Sequence, residues 1–150
     1  MLIRELDESE LQTLLDLYKH LHSSDEPLPG QDVVDGVWDQ IQEDPHLKYY
    51  GVFVDDTLVT SCTLSIIPNL TRGCRPYGVI ENVVTHPEFR RRGYGKGILQ
   101  HALAEAWSMR CYKVMLLTGW KDEETCKFYE SAGFDRHAKQ AFLAKPPEVE

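Results

Sequence analysis

The spacing of apolar residues along the chain changes several times, and each change marks an element. Residues 2–6 (Leu-Ile-Arg-Glu-Leu) read as a short strand, with Asp7 or Ser9 able to cap the helix after it. Leu11, Leu14, Leu15, Tyr18 and Leu21 then recur at three-and-four spacing, the mark of an amphipathic helix. The turn-rich run Ser23 to Gly30 stops it, and Val33 or Val34, Val37, Trp38 and Ile41 restore the helical period until Asp44-Pro45. From Lys48 the period shortens to two. Tyr49–Val54 and Leu58–Ile67, rich in β-branched and aromatic residues, predict a hairpin turning at Asp55-Asp56. Gly78–Thr85 predicts a further strand, ended by Pro87, which cannot donate to a ladder. Ile98, Leu99, Ala102, Leu103, Ala106 and Trp107 predict a second strong helix over 94–108. Tyr112–Thr118 reads as a buried strand, Thr125–Ser131 as a helix stopped at Gly133, and residues 134–144 as a closing pair of short strands.

The crossover helix at 94–108 requires a parallel neighbour, whereas the preceding strands pair antiparallel. The expected class is therefore α/β (α+β): a mixed, mostly antiparallel sheet with helices on both faces. The 150 residues suit one domain, 1–150, with no repeat or linker to divide it. No run approaches the ~20 apolar residues of a membrane span, and the first residues do not resemble a signal peptide, so no membrane partner is expected. Cys62, Cys74, Cys111 and Cys126 form no Cys-x-x-Cys pair. That spacing favours neither a metal site nor a disulfide framework and suits a reducing, cytoplasmic compartment.

The net charge of −8 is unevenly spread: −11 over residues 1–56, +6 over 57–121 and −3 over 122–150. A globally acidic chain argues against nucleic-acid binding, while a basic middle suits one compact anionic ligand. Its cations concentrate in Arg90-Arg91-Arg92-Gly93-Tyr94-Gly95-Lys96-Gly97, between a predicted strand and a predicted helix. There the glycines allow close backbone approach, and the first N–H groups of the helix point outward unpaired. A phosphate is the natural occupant of such a helix start. The run is neither a Gly-x-x-x-x-Gly-Lys-Ser/Thr loop, since Gly97 follows Lys96, nor a Gly-x-Gly-x-x-Gly fingerprint.

Val83 to Gly97 resembles the coenzyme A motif of the Gcn5-related N-acetyltransferases (GNAT), whose core is Arg/Gln-x-x-Gly-x-Gly/Ala. Phe128-Tyr129-Glu130-Ser131-Ala132-Gly133-Phe134 resembles the family's second block, Phe-Tyr-x-x-x-Gly-Phe. Asp122 and Thr125 stand where that family usually has Asn-x-x-Ala. Ile80–Val84 with Cys111–Val114 is locally similar to the glucosamine-6-phosphate acetyltransferase branch. The resemblance implies a splayed parallel strand pair, 78–85 beside 112–118, that forms a slot for acetyl-CoA without a metal. The pantetheine arm would bond to the backbone at Val83, Val84 and Thr85. Arg90, Arg91, Arg92, Gly93, Tyr94, Gly95 and Lys96 would take the pyrophosphate, with Phe128 beside them. A strand bulge would aim an N–H near Val83 or Val84 at the thioester oxygen, stabilising the developing oxyanion.

The implied reaction is direct acetyl transfer to a primary amine of a small molecule. A protein or peptide amine, or a non-catalytic acyl-CoA sensor, are the competing readings. An attacking amine must be neutral, and Glu81 is the candidate base, or else a ligand for the acceptor. Tyr129 matches the family tyrosine that protonates the leaving thiolate, or else it is a core residue beside Phe128. His86 reads as a loop residue, His20 and His22 as helix-end cations or acceptor contacts, and Trp120 and Tyr112 as packing. Asp25, Glu26, Asp32, Asp35 and Asp39 suggest an acidic acceptor mouth that favours a cationic amine, against which Arg72 and Arg75 pull. The family commonly pairs through strands or its C-terminal region, so a homodimer is a further implied expectation.

Overall fold

A computed structural model describes residues 1–148. Five strands form one sheet in the order β1 (Leu2–Glu5), β2 (Leu47–Val54), β3 (Thr57–Ile67), β4 (Tyr77–Thr85) and β5 (Val114–Leu116). The first four pair antiparallel, and β5 lies parallel to β4. The β2–β3 turn is made by Asp55 and Asp56 with φ of 47° and 60°. Those left-handed values match a two-residue hairpin turn whose twist follows that of the flanking strands.

Helices cover both faces, as their apolar stripes require. α1 (Leu11–Tyr18) and α2 (Gln31–Glu43) bury Leu14, Leu17 and Trp38 against Leu6, Phe53, Leu58 and Val84. The chain enters α1 through a short 3-10 turn at Glu8–Glu10, where Asp7 is the cap and receives the Ser9 N–H at 2.9 Å. Trp38 is fixed from the other side by its indole N–H, which donates to the Glu8 carbonyl at 2.9 Å. A four-residue turn, α3 (Thr71–Cys74), joins β3 to β4. On the opposite face α4 (Tyr94–Ser108) drives Ile98, Leu99, Ala102 and Ala106 into a cluster with Val52, Leu64, Ile66 and Ile80. α5 (Glu123–Ser131) adds Phe128 and Tyr129 to its margin. Among the described residues no helix is long and apolar enough to cross a membrane.

Two expectations change. The strand expected over 112–118 contracts to Val114–Leu116, because β4 offers it hydrogen bonds only across Gly78–Ile80. The closing strands expected over 134–144 do not form. Arg136 bonds to Glu130 at 2.7 and 2.8 Å and to Glu123 at 3.0 and 2.9 Å, holding the chain against α5 rather than along a sheet edge. Beyond it Phe142 and Leu143 remain 90% and 76% exposed. A strand exists only with a partner to bond, and no described strand lies alongside this segment.

Leu64 is fully buried at the centre of the sheet's α4 face. Leu64→Ala is expected to cost about 2–5 kcal/mol of stability, read from the shift in a urea unfolding midpoint.

Candidate functional site

β4 changes its relation to both neighbours at the same point. Against β3 the pairing runs Ser61↔Val84 and then Thr63↔Glu81, so that Asn82 and Val83 together oppose Cys62. This is a bulge, and Asn82 carries it with a left-handed φ of 52°. Thr63 Oγ1 secures one side by donating to the Glu81 carbonyl at 3.1 Å. Towards β5 the parallel pairing ends at Ile80↔Leu116. From Glu81 to Thr85 the outer edge of β4 is therefore left without a strand partner, and a slot opens between the two parallel strands. The bulge sits at its start.

The upper end of the slot is closed by the loop into α4. His86 N–H donates to the Val59 carbonyl at 2.8 Å, and the His86 ring accepts from Glu88 N–H, capping a 3-10 turn at Pro87–Phe89. Gly93, at φ 84°, occupies the N-cap position of α4, so no side chain satisfies the first helical N–H groups. Gly95 is held tightly: a Cβ there would come within 2.9 Å of the Phe128 ring. The cluster of unpaired N–H groups beside Arg90, Arg91 and Lys96 is a site for an anion. Arg91 bonds to Glu124 at 2.8 Å, but both side chains are well exposed, and such a pair gives way readily to a phosphate.

Most of the residues expected at the site meet around one cavity of about 950 Å³. Val83, Val84, Thr85, Arg90, Arg91, Gly93, Tyr94, Gly95, Lys96, Phe128 and Tyr129 all line it. Arg92 and Glu81 do not. Arg92 lies over the Phe89 ring at 5.2 Å, and Glu81 is an exposed residue just below the bulge. Glu81 nevertheless acts on the cavity through its charge. Burial raises the Tyr129 phenol above its ordinary pKa, and the nearby Glu81 carboxylate raises it further. Tyr129 therefore keeps its proton through neutral pH. The Tyr18 hydroxyl is buried without a hydrogen-bond partner among the described residues, and Asn82 is a polar neighbour.

The sequence underrated the opposite wall. Lys19, His20, Leu21, His22 and Ser23, following α1, line the cavity, and the His20 ring meets His86 edge-on at 4.6 Å. Trp120, read as packing, is 74% exposed and lines the cavity as well. Asp122 lines it while capping α5, receiving both the backbone N–H and the hydroxyl of Thr125 at 2.9 Å. Those bonds hold its carboxyl below the ordinary range. The expected acidic mouth is corrected. Asp25, Glu26, Asp32, Asp35 and Asp39 are exposed and none of them lines the cavity, whose α1 wall instead carries Lys19, His20 and His22. The period that turns Trp38 and Ile41 inward turns the α2 carboxylates out to solvent.

The profile of the acetyltransferase (GNAT) family matches residues 11–134. A glucosamine 6-phosphate N-acetyltransferase of Trypanosoma brucei brucei is 33% identical over 141 residues, which are 94% of this chain and 93% of that protein. A solved structure from Agrobacterium tumefaciens strain C58, described as a candidate acetyltransferase, is 40% identical with a TM-score of 0.90, covering 97% of this chain and 100% of its own. The Arabidopsis thaliana glucosamine-6-phosphate N-acetyltransferase shares the fold at 22% identity and a TM-score of 0.84, with 98% of each chain covered.

The coupling of Glu81 to Tyr129 can be read directly. Removing the carboxylate charge by Glu81→Gln stabilises the phenolate and should lower the Tyr129 pKa in an ultraviolet difference titration, with Tyr129→Phe identifying the signal. An unchanged titration would mean that the two groups do not sense each other.

Proposed function

This chain belongs to the acetyltransferase (GNAT) family, and we propose that it transfers the acetyl group of acetyl-CoA to the amine of a phosphorylated amino sugar. The observation that carries the reading is the slot itself: an unpaired β4 edge running from a bulge into an uncapped, arginine-flanked helix start. Its donors fit the groups of acetyl-CoA. The N–H groups of Gly93 to Lys96, with Arg90, Arg91 and Lys96, take the pyrophosphate. The free backbone of Val83–Thr85 pairs with the amides of the pantetheine arm, leaving the thioester beside Asn82 and Val83. The amino-sugar phosphate is supported by the Trypanosoma relative's name and by the α1 wall, which carries Lys19 and two imidazoles and no carboxylate.

The chemistry needs three things from the chain. Glu81, directly or through a water, accepts a proton from the acceptor's ammonium and so exposes the nitrogen lone pair. A bulge N–H near Val83 or Val84 polarises the thioester carbonyl and stabilises the oxyanion that forms when nitrogen attacks. As the C–S bond breaks, the Tyr129 hydroxyl protonates the departing thiolate, and the second proton lost by the nitrogen as the amide forms returns through water to the phenolate. The products are an amide and free coenzyme A. Burial and Glu81 keep Tyr129 in its protonated form, so the donor is in place when the C–S bond begins to break. The chain acts as one domain, and its buried, protonated Cys62 thiol, pushed up to about 12, suits a cytoplasmic setting. It pairs as a homodimer, for which Phe142 and Leu143 supply exposed apolar surface.

Thiol release should be measured with glucosamine 6-phosphate, glucosamine, a polyamine and a peptide amine. The phosphorylated sugar is expected to give the highest kcat/KM. A preference for the polyamine would restore a cationic acceptor, and one for the peptide would restore a protein substrate. Acetyl-CoA binding without turnover on any amine would leave a sensor. Tyr129→Phe should lower kcat by about 10²-fold with little change in the acetyl-CoA KM, since general-acid assistance acts only in the transition state. A kcat within twofold of the parent protein's (~2, against the ~10² that proton transfer supplies) would remove Tyr129 from the chemistry.

A further inference from the structure

The buried polar side chains around the bulge all find partners, with one exception. Thr60 Oγ1 donates to Thr85 Oγ1 at 3.1 Å, Ser61 Oγ to the Tyr50 carbonyl at 2.9 Å, and Thr63 Oγ1 to the Glu81 carbonyl at 3.1 Å. The Tyr18 hydroxyl, on the last residue of α1, has none. Among the described residues it is the only buried side-chain oxygen or nitrogen left without a hydrogen bond. An unbonded buried hydroxyl is a net cost to folding, and a phenylalanine of nearly the same volume would avoid it. The resting fold gains nothing from this oxygen.

Its surroundings point to where it acts. The Tyr18 ring packs on the cluster that α1 and α2 form with Phe53, Leu58 and Val84, two positions beyond Asn82. Burial pushes the phenol far above its ordinary pKa, Tyr49 and Cys62 add to that, and the Asn82 side chain alone pulls it down. The hydroxyl therefore stays protonated, with Asn82 as the polar side chain beside it. Asn82 is also the strained residue of β4, at φ 52°, and with Val83 it opposes the single residue Cys62. Regular pairing grips the strand on either side, at Thr63↔Glu81 and Ser61↔Val84. Between those points the tilt of the Asn82–Val83 peptide, which aims the Val83 N–H, depends on what holds Asn82. Neither Tyr18 nor Asn82 lines the cavity, so the pair can reach the reaction only through that backbone.

We propose that Tyr18 is a positioning residue whose hydroxyl donates to the Asn82 carboxamide oxygen once acetyl-CoA is bound. The bond braces the bulge from behind and keeps the N–H near Val83 on the thioester oxygen as negative charge develops there. Because it is made in the loaded protein and not in the resting one, its free energy lowers the barrier instead of stabilising the fold. The assignment rests on acetyl transfer at this bulge and is independent of which amine accepts the group.

Acetyl-CoA with an isotope-labelled thioester carbonyl gives a readout that needs no acceptor. Infrared difference spectra of the parent protein should show the carbonyl stretch moved to lower frequency on binding. Tyr18→Phe should reverse most of that movement while the acetyl-CoA Kd, from calorimetry, changes by less than about twofold. With whichever amine the parent acetylates fastest, kcat should fall about tenfold at unchanged KM, a fraction of the ~10²–10³ lost with an oxyanion donor itself. The Tm should stay level or rise, since no bond of the resting fold is removed. Asn82→Gly deletes the carboxamide yet accepts the left-handed φ, and combining it with Tyr18→Phe should lower kcat no further than the worse single variant. A parent-like kcat or carbonyl frequency in Tyr18→Phe overturns the proposal and leaves acetyl transfer standing. So do losses that multiply in the double variant, or a Tm that drops in Tyr18→Phe, which would make the hydroxyl a structural bond. A parent protein that binds acetyl-CoA without moving the carbonyl stretch removes the bulge from the chemistry, and Tyr18 with it.

Discussion

β4 bonds to β5 only across Gly78–Ile80, and from Glu81 onward its outer edge carries backbone donors and acceptors that no strand satisfies. An exposed edge of this kind is a standing liability, because it will pair with any extended chain that reaches it. Here that liability is confined to a few residues and walled in by α5, the end of α1 and the loop into α4. What fits is an extended arm with amide groups and an anionic end. The bulge at Asn82–Val83 sets where the free edge begins, and the uncapped start of α4 sets where it ends. The proposed pantetheine recognition, carbonyl polarisation and phosphate binding would thus all depend on one interruption of a hydrogen-bond ladder.

The helices that wall this edge are held by polar bonds at their ends as well as by the core. α5, which carries Phe128 and Tyr129, is capped by Asp122 at its start and tied by Arg136 to Glu123 and Glu130 along its length. The apolar contact of Phe128 with Gly95 joins α5 to the phosphate loop. Displacing α5 would therefore move the anion site and Tyr129 together. On the other side, Trp38 anchors α2 through its bond to the Glu8 carbonyl, and the charged outer face of α2 remains in water.

The sequence disclosed those features whose chemistry is local. The placement of Arg90 to Gly97 between a strand and a helix is legible because glycines, cations and a following helical period stand in one short run. The strands from β2 to β4 are legible from period-two patterning and the Asp55-Asp56 turn. Features that depend on a distant partner were less so. Residues 134–144 hold enough apolar positions to suggest strands, but a strand requires an edge, and Arg136 binds the chain to α5 instead. The acidic mouth was misjudged because charge was counted along the chain; the helical phase of Val34, Trp38 and Ile41 already turned Asp32 and Asp39 away from the core and left Asp35 at its flank. The bulge followed from family resemblance rather than from any residue pattern. The gathering of Arg72, Arg75 and Lys113, unpaired among the described residues, needed the fold, since Arg75 and Tyr112, the ring it lies over, are 37 positions apart.

The length of β4 keeps its two ends electrostatically apart. From Tyr77 to Thr85 it spans about 26 Å, with Arg72 and Arg75 just before its start and Arg90 and Arg91 beyond its end. At physiological ionic strength charges are screened over about 8 Å, so groups bound at opposite ends are electrostatically independent. Two dianions can then occupy the strand together without raising each other's dissociation constants through repulsion. Neither would need to leave before the other arrived.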